Sequence, residues 1–201
     1  MANVIPTKGN LMILKRSLSL ARLGFDLMDR KRNILVREMM QMIDVAGELQ
    51  GKIDETFSSA YIALRDANIS LGQIGDLVQG VDVDESVQVR FRSVMGVELP
   101  VVTIDDVEPE NIPYGLAFSN MALDNAYLKF LQVKRFICQL AEVETSIYRL
   151  AVAIKKTQKR ANALQNIIIP NFTRDVKFIV EALEEKEREE FVRLKVIKKT
   201  K

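Results

Sequence analysis

Apolar residues spaced alternately three and four apart run along both ends of this sequence and are missing from its middle. The first ladder is Leu11, Leu14, Leu18, Ala21, Phe25, Met28, Arg32, Leu35, Met39, Met42, Ala46, Leu49, Ile53, Thr56, Ala60, Ala63, broken only by Arg32 and Thr56. The second is Leu123, Ala126, Phe130, Val133, Ile137, Leu140, Glu144, Ile147, Ala151, Ile154, Gln158, Ala161, Gln165, Ile168, Phe172. A mean spacing of 3.5 keeps one narrow seam facing a partner helix, so each stretch asks for a left-handed coiled coil, and each ladder is the other's obvious partner. The expected fold is all-α: a long antiparallel two-helix coiled coil with a small central β-hairpin insertion.

Seams of this length do not fit a compact domain. A helix from about Thr7 to Asp66 would be roughly 90 Å long and one from about Leu116 to Ile197 roughly 120 Å, whereas a compact chain of this size has a radius of gyration of roughly 16 Å. The expected division is 1–68 for the first helix, 69–115 for a central loop and hairpin, and 116–201 for the second helix, all within one elongated domain.

Local signals refine this outline. Pro6 and Thr7 suit a helix start with Thr7 as N-cap, although Asn10 stands where a capping box wants Glu or Gln. Gly24, Gly47 and Gly51 lie inside the first helix, where they serve either close contact, a bend, or nothing. Gly72, Gly75 and Gly80 end the pattern. Alternation from Val87, then Met95-Gly96, then a β-rich run from Val97 to Ile104 predict a hairpin turning near Gly96. Pro100 requires an edge or a bulge. The acidic stretch Asp105 to Glu110, with Pro109 and Pro113, reads as a loop. Pro170 should kink or locally unwind the second helix without ending it, and past it the seam resumes out of step as Phe172, Val176, Ile179, Leu183, which is a stutter. The charged tail from Glu184 reads as exposed helix with Glu184–Arg188 and Glu189–Arg193 pairs.

Several functions are disfavoured by what the chain lacks. It has no histidine, and 29 Lys and Arg oppose 27 Asp and Glu, a balance too even to attract a polyanion, so nucleic-acid binding is not expected. Lys8-Gly9-Asn10 is no phosphate loop, and the central glycines fit no nucleotide motif. Asp82, Asp84 and Glu85 start like a calcium loop but lack its central glycine and closing glutamate. No metal, cofactor or catalytic group is expected. The single Cys138 precludes an intrachain disulfide and reads as a small packed hydrophobe in a reducing compartment. Met1 to Asn10 has no secretory core segment, and no apolar run approaches bilayer length, so a cytoplasmic chain without membrane insertion is expected. The polar seam residues Arg32, Glu144, Gln158 and Gln165 read first as register marks and second as partner contacts. The basic groups Arg30-Lys31-Arg32 and Lys155-Lys156 with Lys159-Arg160 are solvated faces that could also meet an acidic partner.

Particular words then become recognisable. Pro6-Thr7-Lys8-Gly9-Asn10-Leu11, Leu27-Met28-Asp29-Arg30-Lys31-Arg32 and Leu35-Val36-Arg37-Glu38 resemble the amino-terminal helix of the D subunit of V-type and A-type rotary ATPases. Arg160-Ala161-Asn162-Ala163-Leu164, Ile168-Ile169-Pro170 and the run from Glu185 through Glu190-Phe191 to Lys195 resemble that family's closing helix. The resemblance covers most of both helices and implies a non-catalytic central rotor shaft. Its implied partners are the A and B subunits of the hexameric head, the small F subunit of the stalk, and the C-type (or d-type) subunit capping the membrane ring. The paired ends would sit in the head, which makes Lys15, Arg16, Arg188, Arg193 and Lys195 candidate head contacts. A coiled-coil scaffold or tether is the rival reading; it shares the heptads but needs no hairpin.

Overall fold

The first helix begins at its cap. In the computed structural model, which describes residues 5–72, 74–75, 86–104, 114–115 and 119–199, the Asn10 amide donates to the Thr7 hydroxyl at 3.2 Å and the Asn10 side chain donates back to the Ile5 carbonyl at 2.9 Å. Asn10 therefore ties down the entering chain where a capping box would use a glutamate. Helix α1 then runs without a break over Lys8–Leu71, past the expected end near Asp66. Its last turn holds because Ala67 is fully buried in a cluster with Ile74, Tyr114 and Leu123, with Leu64 and Leu71 packed against it. Gly72 ends it: at φ 78° its amide still reaches the Asn68 carbonyl at 3.0 Å, a left-handed closure that glycine adopts without steric cost.

Strands β1 (Val87–Val94) and β2 (Val97–Ile104) pair antiparallel with Val94 opposite Val97. Met95 and Gly96 form the turn at φ 51° and 76°, the mirror-image geometry that matches strand twist in two-residue hairpins. Asn120 caps the next helix, its side chain accepting the Leu123 amide at 3.1 Å; helix α2 accordingly starts at Met121 and runs to Ala163. A π-helical turn, Leu164–Ile168, connects it to α3, Ile169–Lys199. The acidic stretches 82–85 and 105–110 and the residue Leu116 lie outside the described residues.

Packing divides the chain into two compact units, Met1–Ile34 with Ile154–Lys201, and Leu35–Ala153. The boundaries 68 and 115 follow the order of elements; the packing units instead take a segment of each long helical run. Within Leu35–Ala153 the helices are antiparallel: Lys129 donates to the Ser59 carbonyl at 3.4 Å, Tyr61 meets Phe130 edge-on at 5.9 Å, and Asn120 donates to the Ser70 hydroxyl at 2.8 Å. Within the unit of paired ends the sense is the same, from Lys8 beside Glu187 to Arg32 beside Gln158.

Every member of the first ladder, Arg32 and Thr56 included, is buried or half-buried. The second ladder differs in a regular way. Its column Ala126, Val133, Leu140, Ile147, Ile154, Ala161 is shielded, but past Val133 the companion column is Phe136, Val143, Leu150, Thr157, Leu164, each one residue earlier than expected. Ile137 is 44% exposed, and Glu144, Ala151 and Gln165 face solvent. Both choices satisfy a mean spacing of 3.5, and the structure takes the one that buries Val143 and Leu150 rather than Glu144 and Ala151.

Candidate functional site

The polar seam residues part company in the structure. Arg32 and Gln158 come together: the Arg32 guanidinium donates to Gln158 Oε1 at 2.8 Å, pairs with Asp29, and donates to Asn33 Oδ1 at 3.2 Å. Gln158 in turn donates to Asn162 at 2.8 Å, and Asn33 to Asp29 at 3.2 Å. The two breaks in the ladders thus answer each other. Asp29 and Asn33 bind the half-buried guanidinium from its own helix, and Gln158 binds it from across the seam, so the pair favours one helix register within the unit of paired ends.

One turn further along lies the irregularity expected at Pro170. Proline has no amide to give the carbonyl four residues back, and its ring crowds that carbonyl. The strain is taken up ahead of the proline: the Ile169 amide donates to the Leu164 carbonyl, five residues back, and helical backbone resumes at Ile169 with φ −62°. A π turn adds one residue to the helix. The seam therefore steps from Leu164 to Ile169 and continues through Phe172, Val176, the fully buried Ile179 and Leu183. Ile168, expected in the seam, is 37% exposed for this reason.

In Leu35–Ala153 the hairpin is held by residues that the periodicity of the sequence does not single out. The register makes Phe91 with Pro100 and Val89 with Val102 non-hydrogen-bonded pairs, so the amide edge of β2 at 98, 100 and 102 turns away from β1. The Val102 amide donates to Glu142 at 2.9 Å, and Arg149 donates to the Glu98 carbonyl at 2.9 Å. Pro100, between them, has no amide to satisfy, which is why a proline is tolerated there. Arg149 also lies over the Phe91 ring at 5.3 Å, and Arg92 pairs with Glu38 of α1 at 2.9 Å. Glu142 and Arg149 are seven residues apart on α2, hence on one face, but only the docked strand gives that spacing a meaning. At the start of α2, burial and a 2.6 Å hydrogen bond to Asp124 push the Tyr114 hydroxyl well above the ordinary phenol range.

Lys15, Arg16, Arg188, Arg193 and Lys195 are all exposed, as is every described residue from Glu184 onward. Glu184–Arg188 and Glu189–Arg193 stand 3.9 Å and 3.6 Å apart. Lys8 pairs with Glu187 at 3.0 Å, and the helix continues roughly 18 Å beyond that pair at 1.5 Å per residue. Phe191, Leu194 and Ile197 are exposed on this extension. Cys138 is half-buried. Among the described residues no group of three or more acidic, Cys or His side chains could hold a metal ion, and no helix is long and apolar enough to cross a membrane.

Comparison with known proteins gives this geometry a context. The family model for the ATP synthase D subunit matches residues 10–199. The V-type ATP synthase D subunit of Thermotoga neapolitana is 43% identical over 198 residues, spanning 98% of this chain and 97% of that protein. The A-type ATP synthase D subunit of Pyrococcus furiosus is 37% identical over 199 residues, spanning 97% and 93%. That of Methanopyrus kandleri is 33% identical over 201 residues, spanning 98% and 86%.

Proposed function

The chain belongs to the ATP synthase D-subunit family, and we propose that its paired helices are the central rotor shaft of a V/A-type ATPase, carrying torque between a nucleotide-hydrolysing head and an ion-moving membrane ring. The observation that supports this reading most directly is α1 itself, 64 residues of helix without a break, paired antiparallel within each unit. A lone helix twists easily. Two helices whose side chains interlock along a seam can twist only by sliding past one another, and knobs seated in holes resist sliding. The Arg32–Gln158 pair adds a polar lock at a point where a slip of one turn would part Arg32 from its partner across the seam.

In this reading the chain performs no chemistry. ATP is bound and split by the A and B subunits, and the shaft's ends present Lys15, Arg16, Arg188, Arg193 and Lys195 to them. The small F subunit of the stalk and the ring-capping protein take other surfaces, and the assembly stands on the cytoplasmic side, peripheral to the membrane. The π turn before Pro170 breaks the regularity of the shaft, and a shaft without rotational symmetry can hold otherwise equal head sites in different states.

The test is coupling. The complete complex is reconstituted in vesicles with and without this chain, and ATP hydrolysis and ion uptake are measured together. Omission should leave hydrolysis without uptake, and adding the chain back should restore uptake. Equal ATP-driven uptake in its absence would overturn the proposal.

A further inference from the structure

The hairpin has one closed edge and one open edge. β2 turns its outward amides toward α2, where Glu142 accepts that of Val102, and Pro100 has none to offer. β1 has no such cover. By the same register the amides and carbonyls of Val89, Phe91 and Ser93 point away from β2, the sheet ends at β1, and the strand is exposed from Val87 to Ser93. Among the described residues nothing pairs with these backbone groups. An open edge is a template for another strand, so proteins keep edges short, interrupt them with proline or a bulge, or cover them. β1 is eight residues long, holds no proline, and pairs with β2 residue for residue without a bulge.

The side chains along that edge say which strand it accepts. Val89 and Phe91 stand on one face, 54% and 58% exposed, and Arg90 and Arg92 on the other. Arg92 pairs with Glu38 of α1, whereas Arg90 has no ion pair among the described residues. A second copy of this chain is a poor occupant: antiparallel pairing of two β1 edges centred on Phe91 sets Arg90 of each copy opposite Arg92 of the other, and like charges directly opposite destabilise a sheet. A strand that alternates carboxylate and apolar residues meets both faces at once, its acids beside Arg90 and its apolar side chains beside Val89 and Phe91. We propose that the outer edge of β1 is a docking site for an extended acidic segment of a partner protein, which adds to the hairpin as a third strand through the backbone of Val89, Phe91 and Ser93.

The test uses the full-length chain, isotope-labelled, with solvent exchange of its backbone amides read by NMR. Two synthetic peptides of the same length as β1 are the probes, one alternating Glu and Val, the other alternating Lys and Val, each added at millimolar concentration. The acidic peptide should slow exchange at Val89, Phe91 and Ser93 about tenfold and leave Gln88, Arg90 and Arg92, whose amides already face β2, unchanged. The basic peptide should slow none of them. Arg90→Glu, a change at an exposed residue that leaves the docked β2 edge untouched, should pass the protection from the acidic peptide to the basic one. Protection by neither peptide, equal protection by both, or an unchanged preference in Arg90→Glu overturns the proposal. So does protection that appears in the chain alone as its concentration rises, since the edge would then be a self-contact. Neither peptide involves the head, so each of these outcomes leaves the shaft reading standing.

Discussion

The two packing units are built to different standards. Leu35–Ala153 buries Leu35, Ile53, Leu99, Leu123, Val133, Val143 and Leu150 along with several alanines, whereas the unit of paired ends buries only Ala21, Ala161 and Ile179 among its described apolar residues. The same thin unit leaves Ile13, Leu20, Leu23, Leu27, Phe178 and Phe191 in solvent. A helix pair cannot surround a core by itself, because each helix has only one neighbour. The middle unit gains further cover from the hairpin and from the cluster around Tyr114; the paired ends have neither. The contrast separates a well-packed unit from a thinly packed one.

The largest test of that contrast is a core truncation in the middle unit. Leu150 is fully buried, and Leu→Ala at such a site costs about 2–5 kcal/mol. Urea unfolding of the isolated chain should register that loss for Leu150→Ala. A loss below about 1 kcal/mol would mean that the middle unit is no better packed than the ends.

The polar lock tests the thin unit. Arg32→Leu removes a charged donor and leaves Gln158 Oε1 without it; hydrogen bonds to charged groups contribute about 1.5–3 kcal/mol. Because the site is half-buried and partly screened, the lower end is expected. Arg32→Leu with Gln158→Leu should recover most of the loss, since both partners are then apolar. Hydrogen exchange near Ala161 measures it locally. If the double variant is no better than the single one, the pair is not a register lock.

Much of this architecture is legible in the sequence, and the exceptions share a cause. The hairpin and its turn at Met95-Gly96 follow from alternation and turn chemistry, which are local. The Thr7 cap is local too. The phase of the second ladder is not: Ile137 and Phe136 satisfy the spacing equally, and only the facing helix decides between them. Ile168 is displaced by a π turn that Pro170 makes necessary but does not place. Glu142, Arg149 and the Arg32–Gln158 contact require knowing which elements meet, which periodicity cannot say.

The hairpin, although it contributes the buried Leu99, should open before the rest of the middle unit unfolds. Arg149→Ala loses one hydrogen bond and one cation–π contact, about 1–2 kcal/mol together. Exchange of the β2 amides should accelerate roughly five- to thirtyfold, with little change in the main unfolding transition. A matching drop in global stability would make the hairpin part of the core. Tyr114 gives the same unit an alkaline limit. Its folded-state pKa lies above the ordinary value of 10.0, so the unfolded chain loses the phenol proton first; the stabilisation is complete below about pH 10 and falls as pH rises toward the folded value. Tyr114→Phe should remove that slope in unfolding measured between about pH 9 and 11.

The smallest effects compare the two units with one substitution. Gly24 lies in the unit of paired ends, Gly47 and Gly51 in the middle unit, and all three sit inside α1 where glycine costs about 1 kcal/mol relative to alanine. A methyl at Gly47 or Gly51 would meet nothing within 4 Å, so each Gly→Ala change should yield that backbone gain alone. A methyl at Gly24 would stand 3.8 Å from Leu164 Cδ1, an ordinary contact with a seam residue. In a thin core such a contact covers surface that is otherwise poorly shielded, so Gly24→Ala should add a few tenths of a kcal/mol beyond the backbone term. Thermal unfolding of the three single variants reads the difference. If Gly24→Ala gains less than Gly47→Ala, the paired ends are packed closely enough to resent the methyl, and the contrast between the two units would have to be drawn from their buried residues alone.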